Sequence, residues 1–430
     1  MSFQQGLSGL RASATALDVT SNNIANAQTV GFKSAQTNFA DVYATSVGCG
    51  GTQIGVGVSV VKTPQQFSQG TVTSTSNPLD LAVNGKGFFV LGNNGATSYT
   101  RNGQFQLNKD GYVVTSSGFN LRGYQVDASN TVTGAIGDLW LNTADIDPKT
   151  TTVASGILNL DSRSVVPVGA AFPAALTEVL PATVPPTYVQ PTADMYNSST
   201  STQIYDSLGN PHVATFFFSK VTGVAGTWDV HATIDGGSYN AGAVLTFDQL
   251  VFDTSGNLTS PVGPPIGLGT GQLIGWTDPS VNVAQTLALN FNGTTQFGSA
   301  FGVNSLTQDG YGAGRLTGFN IGVDGLMEGI YTNKQTRALG QVALANFANP
   351  QGLKALGDNQ WTECTDSGNA LIGAPGSSSL GVLRSSAVEE SNVDLTVELV
   401  NMIVEQRNYQ ANAQTIKTQD QILQTLVNLR

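Results

Sequence analysis

The chain has 430 residues, enough for about three folded units at roughly 150 residues each. Its 18 Lys and Arg face 29 Asp and Glu, a formal net charge of −11, which is the wrong sign for a nucleic-acid partner. Only 11% of residues are charged while 40% are hydrophobic and 50 are glycine, so neutral polar residues replace charge and the chain reads as folded with an unusually neutral surface.

From Ser2 to about Ala44 the apolar residues fall at helical spacing. Phe3, Leu7, Leu10, Ala14, Leu17 and Ile24 follow a heptad, which predicts a narrow seam of the coiled-coil kind. Gly6, Gly9, Thr15 and Thr20 lower the intrinsic helix propensity, so this helix is expected to form only against a packing partner. The cluster Asn22, Asn23 and Asn26 is expected to end it. Gly31 would then allow a turn that aims Phe32 back at the helices. The first ten residues lack the basic segment and apolar run of a secretory signal. No apolar stretch approaches the ~18 residues of a membrane span, so no membrane insertion is expected.

The next 300 or so positions read as β, on the order of two sandwich or barrel domains. Ile54, Val56, Val58 and Val60 alternate with small or polar residues, the period of a half-buried strand. Phe105–Leu107 and Tyr112–Val114 flank Asn108-Lys109-Asp110-Gly111, a hairpin signal, and similar turns recur at Asp206 to Asn210, Asp253 to Asn257 and Asp324-Gly325. Such short connections predict antiparallel pairing. Pro167, Pro173, Pro181, Pro185, Pro186 and Pro191 mark an extended surface strap and a boundary within about 145–195. Beyond it, Phe216, Phe217, Phe218, Trp228, Phe247 and Phe252 supply a separate core. A second boundary is expected around Ser299–Gly314.

The last helical segment mirrors the first. Ser391 to Arg430 contains no Gly or Pro, Ser391 and Asp394 form a possible capping box, and Asp394 is an alternative N-cap. Leu395, Leu399, Met402, Tyr409, Ala413, Ile416, Leu423 and Val427 make its seam, which Ile403, Ile422, Leu426 and Leu429 widen. The opposite side is rich in Asn and Gln, which identical copies can satisfy mutually. The expected fold class is therefore multidomain α+β: long terminal helices forming a coiled-coil-like domain (1–70 and 360–430), and two mainly antiparallel β domains, the second (151–304) inserted in the first (71–150 and 305–359).

Catalytic signals are missing. His212 and His231 are the two histidines, neither near a cysteine or an acidic cluster at ligand spacing, and both read as partly exposed strand residues. Gly85-Lys86-Gly87 and Gly267-Leu268-Gly269-Thr270-Gly271 lack the βαβ context of a phosphate loop and read as turns. Cys49 and Cys364 read as free thiols, a mutual disulfide being the alternative. No catalytic residue, cofactor or metal is expected.

The run Ser21-Asn22-Asn23-Ile24-Ala25-Asn26-Ala27-Gln28-Thr29-Val30-Gly31-Phe32-Lys33 resembles the N-terminal signature of the bacterial flagellar axial proteins, the rod and hook family. Further matches are Asn77 to Val90, Tyr99-Thr100-Arg101-Asn102-Gly103-Gln104-Phe105, Asp110 to Thr115, and the C-terminal run from Ser391 through Gln406-Arg407-Asn408-Tyr409-Gln410 to Arg430. Leu339 to Phe347 is similar to the hook branch. The resemblance covers about 1–125 and 330–430; the middle matches in kind, as a variable domain. It implies export through the flagellar type III apparatus, and assembly into a helical tube with paired terminal helices as its inner wall. The two seams would be the subunit-assembly surfaces, with Asn22, Asn23, Ala25, Asn26, Gly31 and Phe32 as family signature. The implied partners are further copies of the chain, a distal rod protein, a hook cap protein and a hook-filament junction protein. The implied role is a flexible joint carrying motor torque. A distal rod protein is the alternative within the family, and a secreted β-rich adhesin or enzyme the alternative outside it.

Overall fold

The computed structural model describes residues 2–42, 55–93, 95–127, 130–180, 187–238, 240–261, 272–274, 280–281 and 285–428. The chain is mostly β, with one helix near each end and several separate sheets. Its residues fall into two compact units, residues 1–143, 317–330 and 336–430 in one, 144–316 and 331–335 in the other.

In the first unit, helix α1 (Ser2–Ala25) leads into a two-stranded ribbon of Asn38–Val42 and Gly57–Lys62, exposed along much of both faces. Ile54 of the expected strand lies outside the described residues. Strand Phe88–Asn93 is the central element. Phe89 and Leu91 point into one core with Leu81, Phe105, Leu121, Val342 and Leu344, while Phe88 and Val90 point into another with Tyr99, Phe347 and Trp361. The two-residue period of a strand explains why its sequence is a continuous apolar run: both faces are covered. Leu344 pairs with Phe89 and Ala345 with Phe88, so two of the family-like motifs from opposite parts of the chain are neighbours in one sheet.

The second unit holds a five-stranded antiparallel sheet in simple sequence order: Ser198–Tyr205, Pro211–Lys220, Thr227–Ile234, Leu245–Phe252 and Leu258–Ser260. Phe216, Phe218, Trp228, Phe247 and Phe252 pack into its core with Phe291. Phe217 does not join them. Alternation turns it to the other face, where it meets Phe172 and Tyr196 at ring-centroid distances of 5.3 and 4.9 Å. Strand Val153–Asn159, which precedes the proline-rich strap, buries Ala154, Leu158 and the following Leu160 in the same core. That strand also pairs parallel with Thr286–Asn290, within a unit that is otherwise mainly antiparallel, as expected.

The turn motifs do as their chemistry dictates. Asn108, Asp206 and Asp253 each accept two backbone N–H bonds, from the residues two and four positions on, in every case at 2.8–3.0 Å. The residue three positions on is Gly111, Gly209 or Gly256, with φ of 85°, 83° and 83°, where a side chain would be strained. Gly85 (φ 113°) and Gly87 (φ 130°) likewise serve a turn. The loop 267–271 and Cys49 lie outside the described residues. Cys364 is half-buried, its thiol donating to the Gly352 carbonyl at 2.8 Å.

Candidate functional site: paired terminal helices and a buried junction

Helix α2 (Leu395–Asn428) starts where the sequence offers a cap. The Asp394 carboxylate accepts from the backbone N–H groups of Thr396 at 2.8 Å and Val397 at 3.3 Å, so Asp394, rather than the Ser391 box, is the N-cap. With 34 residues the helix is roughly 50 Å long. It runs antiparallel to α1. Gly6 faces Ile416, Gly9 faces Asn412, and the Asn23 side-chain amide donates to Glu398 at 3.3 Å.

The contact surface of α1 differs from the expected seam. Its buried positions are Gly6, Ala12, Ser13, Ala16, Thr20 and Asn23. Leu7, Leu10, Ala14, Leu17 and Ile24 are half-buried, and Phe3 is exposed. Small side chains let helix axes approach closely. A Cβ on Gly9 would sit 2.8 Å from Asn412 Oδ1, and one on Gly6 3.1 Å from Ile416 Cγ1. The glycines that weaken α1 in isolation thus mark where its partner lies. Periodicity of large apolar residues carries no trace of this. On α2, Met402, Ala413 and Ile416 are half-buried, as are the polar Glu398, Glu405, Asn412 and Gln419. Leu395, Leu399, Tyr409 and Leu423 are exposed, with Val400, Ile403 and Ile422. The side chains of Leu426 and Val427 and the whole of Leu429 lie outside the described residues.

The helices join the β structure through a buried polar junction. Asn26 closes α1, its side-chain amide donating to the Asn22 carbonyl and to Asn22 Oδ1, both at 3.0 Å; Ala25 is exposed beside them. Asn23 is buried, donates to the Ala35 carbonyl at 2.8 Å and accepts from the Ala35 N–H at 3.0 Å, which holds the returning chain against the helix. Gly31 has φ 72°, and a Cβ there would lie 2.5 Å from the Asn102 nitrogen, so only glycine fits. The turn it makes buries Phe32.

The next residue is the unexpected one. The side chain of Lys33 is 0% exposed and its Nζ lies 2.6 Å from Glu389 Oε1, itself 0% exposed. Arg101 reaches the other oxygen of Glu389 at 3.0 Å and donates to the Gly85 carbonyl at 2.8 Å. Lys33 also donates to the Ser68 carbonyl at 2.7 Å, and the Gly70 N–H to Glu389 at 2.9 Å. Burial pushes the Lys33 ammonium and the Arg101 guanidinium below their ordinary pKa values; the charge of Glu389 opposes that shift in both. Arg101 additionally lies over the Phe88 ring, 5.3 Å from its centroid. Asn392, just before α2, accepts from the Ser34 N–H and donates to the Gln66 carbonyl, each at 2.8 Å. Lys33, Arg101, Glu389 and Asn392 were not among the expected site residues. The available signal was charge: in a chain so poor in it, a Lys and an Arg sit inside otherwise neutral, glycine-containing motifs. The junction pairs its two cations with one carboxylate and with backbone carbonyls. It fixes the emergence of both helices. Among the described residues, no group of three or more His, Cys, Asp or Glu is placed to hold a metal ion, and no helix is long and apolar enough to cross a membrane.

Comparison with known proteins fits this arrangement. Residues 3–33 match the family described as flagella basal body rod protein, and 384–429 the C-terminal family of flagellar basal body rod FlgEFG proteins. Residues 82–155 match the flagellar hook protein FlgE/F/G D1 domain, and 173–311 the flagellar basal body protein FlaE D2 domain. Over its full length the chain is 41% identical to the flagellar hook protein FlgE of Escherichia coli K12, with 100% of each chain covered. The chain belongs to the flagellar hook protein family. It is likewise 42% identical to the FlgE of Salmonella typhimurium LT2 over 100% of both chains, and 34% identical to that of Borreliella burgdorferi over 100% of this chain and 99% of the relative. The crystal structure of Helicobacter pylori flagellar hook protein FlgE2 shares the fold, with a TM-score of 0.52 at 14% identity, covering 74% of this chain and 100% of that one. Full-length relatives carry the hook name, whereas the rod families match the chain ends alone. The protein is a structural component of the bacterial flagellum, at the hook.

Proposed function

We propose that this chain self-assembles through its terminal helices into the flexible tube of the hook and carries motor torque from rod to filament. The observation that carries the reading is α2: Leu395, Leu399, Val400 and Ile403 lie exposed on a helix roughly 50 Å long. Each such side chain gains about 1.5–3 kcal/mol when buried, so a single copy leaves a substantial driving force unused. Neighbouring copies are the natural cover, with the small-residue stripe of α1 holding the two helices of each copy together as a coiled-coil-like pair. The seams Phe3 to Ile24 and Leu395 to Val427 then serve contacts between copies.

Within this reading the chain divides into a helical assembly part (1–70 and 360–430), a first β domain (71–150 and 305–359) and an outer β domain inserted in it (151–304). The FlaE D2 match at 173–311 and the second compact unit support the last boundary. The distal rod, hook cap and hook-filament junction proteins would meet exposed seams at the two ends of the tube, and the type III export apparatus would deliver the chain. The protein acts as a mechanical part and not as an enzyme. Sparse charge suits bending, because shallow neutral contacts slide without breaking ion pairs.

Electron microscopy of the purified chain tests the proposal. Tubes of uniform diameter are expected from the full chain and none from a chain lacking 391–430. Tubes from the shortened chain would overturn it.

A further inference from the structure

In the second unit, a histidine is held between two carboxylates. His212 follows the first residue of strand Pro211–Lys220 and is 7% exposed, not the partly exposed residue its sequence context suggested. Its Nδ1 lies 2.6 Å from Asp235 Oδ2, and its Nε2 3.4 Å from Asp206 Oδ2. Asp206 is 1% exposed and is fixed by its own turn, accepting from the N–H groups of Leu208 and Asn210 and from the Asn210 side chain. Asp235 is fixed by the Val213 N–H, 2.7 Å from its Oδ1. It opens a corner in which Asp235, Gly236 and Gly237 have φ of 45°, 63° and 94°, a conformation that costs a non-glycine residue energy.

Both ring nitrogens therefore face carboxylate oxygens that cannot turn away. An imidazolium donates at both positions, whereas a neutral ring must present a lone pair to one of them. We propose that His212 is a proton-dependent clamp: charged, it ties the Asp206 turn and the left-handed Asp235 corner to one end of the five-stranded sheet, and losing its proton loosens that end.

Among the described residues, Asp235 and Asp206 act on the ring through hydrogen bonds and charge. Burial alone would push the His212 pKa down, but the bonds and charges of Asp235 and Asp206 outweigh it, and the value rises above the ordinary 6.5. Burial likewise opposes ionisation of Asp206, yet its bonds to Asn210, His212 and Leu208 hold it below the usual carboxylate range. A folded-state pKa raised above the unfolded value gives stabilisation that is complete below the unfolded value and lost as pH rises through the folded one. The clamp thus holds below the His212 midpoint, which lies above 6.5, and releases as pH rises through it. The inference does not depend on the assembly reading.

With two histidines in the chain, imidazole NMR of the full-length protein gives two titration curves, and His212→Gln assigns them. His212 is expected to titrate above 6.5. His231, which burial pushes down and which stacks on Phe172 at 4.3 Å, is expected below it. As His212 deprotonates, exchange of the Leu208, Asn210 and Val213 amides, corrected for intrinsic base catalysis, should accelerate. In Asp235→Asn the His212 midpoint should fall, a readout that stands if the glutamine variant does not fold. A His212 midpoint at or below 6.5, amide exchange indifferent to its titration, or an unmoved midpoint in Asp235→Asn would each overturn the proposal.

Discussion

The Lys33 ammonium and the Glu389 carboxylate, 356 positions apart in the chain, meet at 2.6 Å in a fully buried site that they share with Arg101. One contact thus ties the end of the α1 return to the strand that leads into α2. Two cations compete for one anion there, and this asymmetry makes the network testable. Glu389→Gln leaves two buried cations without a counter-charge and should cost about 3–5 kcal/mol of stability in the first unit. Lys33→Met leaves the Glu389–Arg101 pair intact and should cost less. Thermal unfolding of the two variants checks the order; an equal or reversed loss contradicts it.

Gly31→Ala should be more harmful than its size suggests. Its φ of 72° alone costs an alanine roughly 1–2 kcal/mol, and the new Cβ would press on the Asn102 backbone. The expected result is a lower melting temperature together with poor tube formation.

Asp394→Ala removes the N-cap of α2. About 1 kcal/mol of helix stability should go with it, read as lower helicity by circular dichroism in the dispersed protein, with the sheets unaffected.

Tyr99 gives a pH prediction of its own. Burial, then the neighbouring Glu363 carboxylate, push its phenol up to about 12 from 10.0. The folded state therefore keeps a proton that the unfolded state releases between these values, and stability of the first unit should fall as pH rises from 10 to about 12. Tyr99→Phe should flatten that decline in a denaturation series and remove a step near 12 from the ultraviolet phenolate titration.

Much of the architecture was legible in the sequence because it rests on local chemistry. The Asn108, Asp206 and Asp253 turns follow from a carboxylate or amide that can bond its own backbone and a glycine three residues on. The Asp394 cap and the end of α1 at the asparagine cluster follow in the same way. What stayed hidden depends on distance in sequence. Lys33, Arg101 and Glu389 look like ordinary surface charges until the fold brings them together. Gly6 and Gly9 read as defects of a weak helix until α2 lies against them. His212 looked unremarkable because its two carboxylates come from separate turns. Phe217 shows the remaining limit, since an unbroken aromatic run does not say which of its members turns to the other face of the sheet.

Substitution on the exposed side of α2 separates assembly from folding. Leu399→Asp alters a side chain 48% exposed and outside the hydrophobic cores, so unfolding of both units should be unchanged while polymerisation fails. A fall in unfolding temperature with normal tubes would reverse that assignment.

The most direct measurement compares backbone amide exchange of α2 in dispersed subunits and in assembled tubes. If neighbouring copies complete the terminal helices, amides of residues 395–425 should exchange rapidly in the subunit and become at least about a hundredfold slower in the tube, equivalent to some 2.7 kcal/mol, while strand Phe88–Asn93 remains equally protected in both. Equal, strong protection of α2 in the dispersed subunit would contradict the account.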